Sequence, residues 1–198
     1  MKWPQPEIRA EDQQTIARIV AHSSLLPNPD TVAAFPNAVF PTCRRKRESD
    51  IAQVFSSTGV AMGIYDNNAT PTWAICWTHG IEGKRPKGWT VAHVWPSSDD
   101  IDGYTRLANL ALVPEALSTT TDKSGPLTDY LRWHAWIIYK WKPKNSKLPV
   151  EPSRYREIDW QYLEKLLNPR EALGLKFGKS NDKRARALRE LGYSPPRW

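Results

Sequence analysis

Apolar positions recur at helical spacing in several stretches of the chain, and at strand spacing in its middle. In EDQQTIARIVAHSS, Ile16, Ile19 and Val20 share one helical face, which predicts a short amphipathic helix. Pro27, Pro29, Pro36 and Pro41 then divide the chain into turns. From Val60 the pattern changes: VAMGIY and ATPTWAICWTHG are rich in strand formers and flank Asp66-Asn67-Asn68. Asp and Asn tolerate left-handed backbone angles, so residues 60–79 read as a β-hairpin. The link GIEGKRPKG leads into WTVAHVWP, a strand over 90–95 closed by Pro96.

Beyond the polar loop SSDDIDG, the run YTRLANLALVPEALSTTTD fits the start of either a strand or a helix. Leu127, Leu131, His134, Ile138 and Trp141 then fall on one helical stripe over 125–141. After a basic linker between Pro143 and Pro149, RYREIDWQYLEKLLN places Ile158, Tyr162 and Leu166 on a common helical face. DKRARALRELGY predicts a last helix, capped by Ser180 or Asn181 and stopped at Gly192. These elements describe an α+β protein: a small antiparallel sheet from 60–79 and 90–95, packed by the 125–141 helix, with a helical basic C-terminal region. The division expected is a core domain over 1–143, including the N-terminal helix, and a C-terminal region over 144–198.

Composition narrows the setting. Cys43 and Cys76 stand far apart with no CxxC pair, which argues against a zinc knuckle or a secreted disulfide framework. No run approaches a membrane span, and MKWPQPEIRAEDQQ has no apolar signal core, so a cytoplasmic protein with no membrane partner is expected. Charge is uneven: residues 1–139 carry 13 Lys/Arg against 14 Asp/Glu, whereas residues 140–198 carry 15 against 7. A positive field confined to one third of the chain points to a polyanion, most often nucleic acid. The ten tryptophans supply flat surface for a core or for stacking on bases.

Candidate chemistry centres on His93, an ionisable ring inside an apolar strand, followed sixteen residues later by Asn109-Leu110. Phosphodiester hydrolysis needs a base for water and a counter-charge on the phosphate, and neutral imidazole suits the first task near pH 7. AHVWP and NLALVP resemble the A-H-I-x-P opening and N-L-x-x-L continuation of HNH, or ββα-metal, endonucleases. Residues 65–143, through YDNNATPTW, PEALSTTTD and LRWHAWIIY, are similar to a group of bacterial HNH-like proteins.

The resemblance implies a ββα-metal core in which His93 is the general base and Asn109 organises the site or ligates a divalent metal, Mg²⁺, Mn²⁺ or another transition ion. It puts Ser118 where the family carries its last histidine, makes Asp122 a further metal candidate, and puts Ala92 where an acidic or imidazole ligand usually precedes the base. Asp99, Asp100, Asp102 and Glu115 are carboxylates within possible reach of such a metal, His79 is an outside candidate, and His134 reads as a core histidine.

Three basic groups are candidates for gripping DNA phosphates: Arg44, Arg45, Lys46 and Arg47; Lys84, Arg85 and Lys87; and Lys183, Arg184, Arg186 and Arg189 on the final helix. The function this suggests is a metal-dependent DNA endonuclease in a restriction or phage-defence setting. A homodimer would suit a duplex-cutting enzyme. The alternatives are a nucleic-acid-binding protein that keeps a nuclease-like fold without its chemistry, and a structural domain whose tryptophans all serve the core.

Overall fold

The structure, a computed structural model, describes residues 9–44, 53–82, 87–97, 99–121 and 126–195. Among these residues there are six α-helices and two small sheets, a mixed α+β arrangement. No helix among them is long and apolar enough to cross a membrane. Helices α1 (Ala10–Ser23) and α2 (Pro29–Ala34) precede β1 (Thr42–Arg44), β2 (Gln53–Phe55) and β3 (Ala61–Asp66). Then come α3 (Ala69–Trp77), β4 (Trp89–His93), β5 (Leu110–Pro114), α4 (Pro126–Tyr139), α5 (Pro169–Lys179) and α6 (Lys183–Glu190).

The single antiparallel sheet expected from the sequence is replaced by two sheets. One has the order β1-β3-β2, with β1 parallel and β2 antiparallel to β3; the other is the antiparallel hairpin β4-β5. Residues 69–77, read from composition as a strand, are helix α3. Asn68 turns the chain at φ 73°, and the buried Asp66 carboxylate accepts from both the Thr70 backbone N–H and the Thr70 hydroxyl at 2.8 Å. That carboxylate satisfies donors of the first helical turn, where Pro71 lacks an N–H that would otherwise be unpaired. Trp73 and Trp77, four residues apart, then stack at 4.6 Å.

The hairpin is the structural centre. Along β5, Leu110 and Leu112 enter a cluster with Phe40, Ile64, Ala74 and Ile75, while Ala111 and Val113 enter a second with α1 and α4 residues such as Val20 and Leu131. Successive side chains point to opposite faces of a strand, so burial on both faces yields an uninterrupted apolar run instead of alternation. The free edge of β5 pairs with Leu25 through two backbone hydrogen bonds, and Leu26 in turn pairs with the 161–163 segment. This pairing explains a second correction. Only Tyr155–Glu157 forms a 3₁₀ turn within the expected 154–168 helix, and the chain beyond it is irregular, with Tyr162 bridged to Leu26.

Helix α1 forms as expected but turns Ala17, Val20 and Ala21 inward and leaves Ile19 half exposed. Helix α6 is capped by the Asp182 side chain, not by Ser180 or Asn181, and Gly192 adopts φ 78° beyond its end. Helix α5, not expected from the sequence, buries Leu173 and Phe177 in the same cluster that takes Ala185 and Leu188 of α6. The C-terminal helices therefore share a core with α2, α3 and β3. A buried ion pair reinforces the contact: Arg184 Nε donates to Asp66 Oδ1 at 2.7 Å.

Candidate active site

His93 ends β4 opposite Leu110, so the chain leaves the hairpin at the histidine and returns through Asn109. The intervening loop is held from inside by one amide. Asn109 is fully buried; its Oδ1 accepts the Trp95 N–H at 2.8 Å, and its Nδ2 donates to Ser97 Oγ at 2.7 Å and the Gly103 carbonyl at 3.1 Å, with a longer approach to the Trp95 carbonyl. A buried asparagine with both ends engaged fixes loop geometry without leaving a polar group unsatisfied. These contacts make Asn109 an organiser of the loop and leave its oxygen occupied by a backbone donor.

The loop delivers Tyr104 to His93. The half-buried imidazole lies flat against the Tyr104 ring, 5.3 Å between centroids, and its Nε2 is 2.9 Å from the Tyr104 carbonyl oxygen. A carbonyl only accepts, so Nε2 carries the hydrogen and the neutral ring presents a lone pair at Nδ1. Tyr104 is fixed in turn: its hydroxyl donates to Asn68 Oδ1 at 2.9 Å and accepts from the Asn68 N–H at 3.0 Å. Burial pulls the His93 pKa below its ordinary value, the Tyr104 carbonyl opposes that, and Arg44 adds to it. The ring is therefore neutral at neutral pH.

His93 opens on a cleft of about 700 Å³. Arg44, Asn68, Tyr104, Ser97, Ser118, Thr121 and Arg132 contribute its polar lining, together with Thr90 and Thr128. Ser118 and Ala92 both line the same cleft as His93, Ala92 with little exposed surface. Asp100 and Asp102 line a different cavity with Arg106. Asp122 lies outside the described residues.

A hard divalent cation needs several oxygen ligands. The described lining offers hydroxyls, an amide and guanidinium groups, and no group of three His, Cys, Asp or Glu among the described residues is placed to hold a metal ion. Of the ligands that the resemblance implies, Ser118 lines the cleft, the Asn109 amide oxygen is taken by the Trp95 N–H, and Asp122 lies outside the described residues.

The other buried histidines have their nitrogens committed. His79 Nε2 accepts the Asn28 N–H at 3.0 Å, while its Nδ1 lies 2.8 Å from the Ile75 carbonyl; burial pulls its pKa down to about 4. His134 is buried between two tyrosine hydroxyls, Tyr155 at 2.7 Å from Nδ1 and Tyr162 at 3.0 Å from Nε2, and burial pulls its pKa down to about 3.

The basic candidates divide. Arg44 and Lys87 are exposed, and Arg44 reaches the cleft; Arg45, Lys46, Arg47, Lys84 and Arg85 lie outside the described residues. On α6, Lys183 and Arg186 face solvent. Arg184 is only 11% exposed and tied to Asp66 and Asp182, while Arg189 donates to the Phe177 and Ser180 carbonyls and lies over the Phe177 ring. Those two arginines hold the C-terminal helices in place. The sequence pattern did not point to Tyr104, Asn68 or Arg132; only Arg132 carried a signal, as a cation on the face of α4 next to the apolar stripe.

Comparison with protein-family models, curated proteins and solved structures returns no match for the chain.

Proposed function

We propose that the chain is a nuclease in which His93 acts as general base on a phosphodiester bond of DNA. The carrying observation is the committed Nε2 of His93: it donates to the Tyr104 carbonyl, no described residue takes Nδ1, and His93 lines a cleft together with Arg44. In this reading Nδ1 takes a proton from water, the water oxygen attacks phosphorus, and the bond to the leaving sugar oxygen breaks, that oxygen taking its proton from solvent. The Tyr104 carbonyl stabilises the imidazolium as it forms, and Arg44 opposes charge on the non-bridging oxygens. Asn109 serves this site by holding the loop that carries Tyr104.

The test is supercoiled plasmid incubated with the protein in Mg²⁺, Mn²⁺, Ni²⁺ or EDTA. His93→Ala is expected to abolish nicking while retaining DNA binding, and exposed His22→Ala to leave nicking unchanged. Equal nicking by His93→Ala refutes the assignment, and the EDTA arm decides the metal requirement.

A second reading, a DNA-binding protein without hydrolysis, draws on Ala92 and on the lack of a carboxylate among the described lining residues. It is favoured if binding is salt-sensitive, indifferent to cations and never followed by cleavage.

A further inference from the structure

The His93 cleft has a neighbour. A groove of about 730 Å³ runs along the other side of Pro96 and Arg132, and these two residues line both hollows. Its walls are mixed: Trp95, Tyr130, Pro149 and Pro152 give apolar surface on the hairpin, α4 and 143–153 sides, and Lys147, Asp129 and Glu151 stand among them. Arg132 therefore stands on the saddle between the cleft that His93 lines and a groove with aromatic and proline walls.

Its side chain is available for a ligand. Nε is buried and has no hydrogen-bond partner among the described residues, and its ion pair with Asp129 is long, at 3.9 Å, to a carboxylate that is 71% exposed. Such a pair contributes little, and a buried guanidinium donor without an acceptor is costly. The side chain as a whole is 26% exposed and donates no hydrogen bond to a described residue, so its terminal nitrogens are the part an anion at the saddle can meet. A guanidinium presents a fork of donors that matches phosphate, and the hollow beyond it offers the apolar walls that a sugar and base need.

We propose that Arg132 grips the phosphate next to the one facing His93, so that an extended single polynucleotide strand crosses the saddle and seats the following nucleotide in the proline-walled groove. This rests on the nuclease reading for the position of the reacting phosphate. It adds a substrate class: a polymer spanning both hollows is preferred over any single phosphodiester.

Two measurements separate this inference from its parent. The first is anisotropy of fluorescein-labelled oligothymidylate over a series of salt concentrations. Arg132→Ala is expected to weaken binding about tenfold and to lower the salt slope by about 1, as for loss of one phosphate contact. Arg132→Lys is expected to recover most of the slope, and Lys165→Ala, a cation outside both hollows, to keep it. The second is hydrolysis of the same oligonucleotide against bis(p-nitrophenyl) phosphate. Arg132→Ala is expected to raise KM for the oligonucleotide alone, whereas His93→Ala lowers kcat for both. Unchanged affinity and slope in Arg132→Ala overturn the inference even where cleavage occurs, as does wild-type protein that fails to bind the oligonucleotide at low salt. Equal losses on both substrates also overturn it. Binding with the expected slope but no hydrolysis by any form refutes the nuclease reading and leaves the strand path supported.

Discussion

Replacing Asn109 by alanine removes an amide that is 0% exposed and whose oxygen and nitrogen are both engaged. The Trp95 N–H loses its acceptor outright, Ser97 Oγ and the Trp95 carbonyl lose a donor, and the Gly103 carbonyl keeps only its contact from the Arg106 N–H. Each buried polar group left without a partner costs about 1–3 kcal/mol, so two or three of them make a loss of about 2–9 kcal/mol, a large share of a typical domain's stability. Urea denaturation followed by tryptophan fluorescence measures it.

Asn109→Asp separates hydrogen bonding from volume. It preserves shape and the acceptor for Trp95, but turns a donor toward the Gly103 carbonyl into a charged acceptor. Burial raises the pKa of such a carboxyl above its unfolded value near 3.9. The folded state then binds the extra proton, and stability falls as pH rises from there, by about 1.4 kcal/mol per unit, until the raised pKa is passed. A loss below about 1 kcal/mol for alanine, or a pH-independent loss for aspartate, refutes the view that this amide holds the loop.

Stability is also expected to fall on acidification through His79 and His134. Their folded pKa values, about 4 and about 3, lie below the ordinary 6.5, so the unfolded chain binds protons first. Their full contribution is present above pH 6.5 and is lost toward pH 4, each adding a slope of about 1.4 kcal/mol per unit; denaturation midpoints across that range test it, and His134→Gln should flatten the curve. Arg184→Met breaks a pair whose acid, Asp66, has a fully buried side chain, and about 3–5 kcal/mol of destabilisation is expected by urea denaturation, with α5 and α6 losing amide-exchange protection.

Which elements were legible in the sequence depends on how each is buried. Helices with one wet face, α1, α4 and α6, announce themselves by period. Helix α3 does not, because Ala74, Ile75, Cys76 and Trp77 are all buried and no polar face interrupts them. Its legible marks were Asp66 preceding Thr70-Pro71 and the four-residue spacing of Trp73 and Trp77. The 158–167 stretch had helical spacing, yet its backbone bonds to Leu26 and its Tyr162 hydroxyl meets His134. A tertiary pairing of that kind overrides a local period. Helix α5 hid behind Gly174 and Gly178, since only Leu173 and Phe177 face inward. At the site, His93 and Asn109 were readable as side chains of unusual type in apolar company. Tyr104 was not, because its contact to the imidazole Nε2 is made by a main-chain carbonyl that every residue possesses.

A structural histidine and a functional one differ in how their nitrogens are engaged. Burial without full pairing is costly, so a ring that serves only the core should use both atoms. His79 does so with the Asn28 N–H and the Ile75 carbonyl, and His134 with two tyrosine hydroxyls. His93 breaks the pattern: one nitrogen is held by the Tyr104 carbonyl, its face is stacked on the Tyr104 ring, and no described residue takes the other. Asn109, Asn68 and Tyr104 hold the loop and ring that fix this imidazole, and His93 itself lines a cleft of about 700 Å³. The general-base role proposed for His93 requires a ring that is neutral, fixed in tautomer and open on one side, and the nicking assay with His93→Ala decides whether the ring is used so.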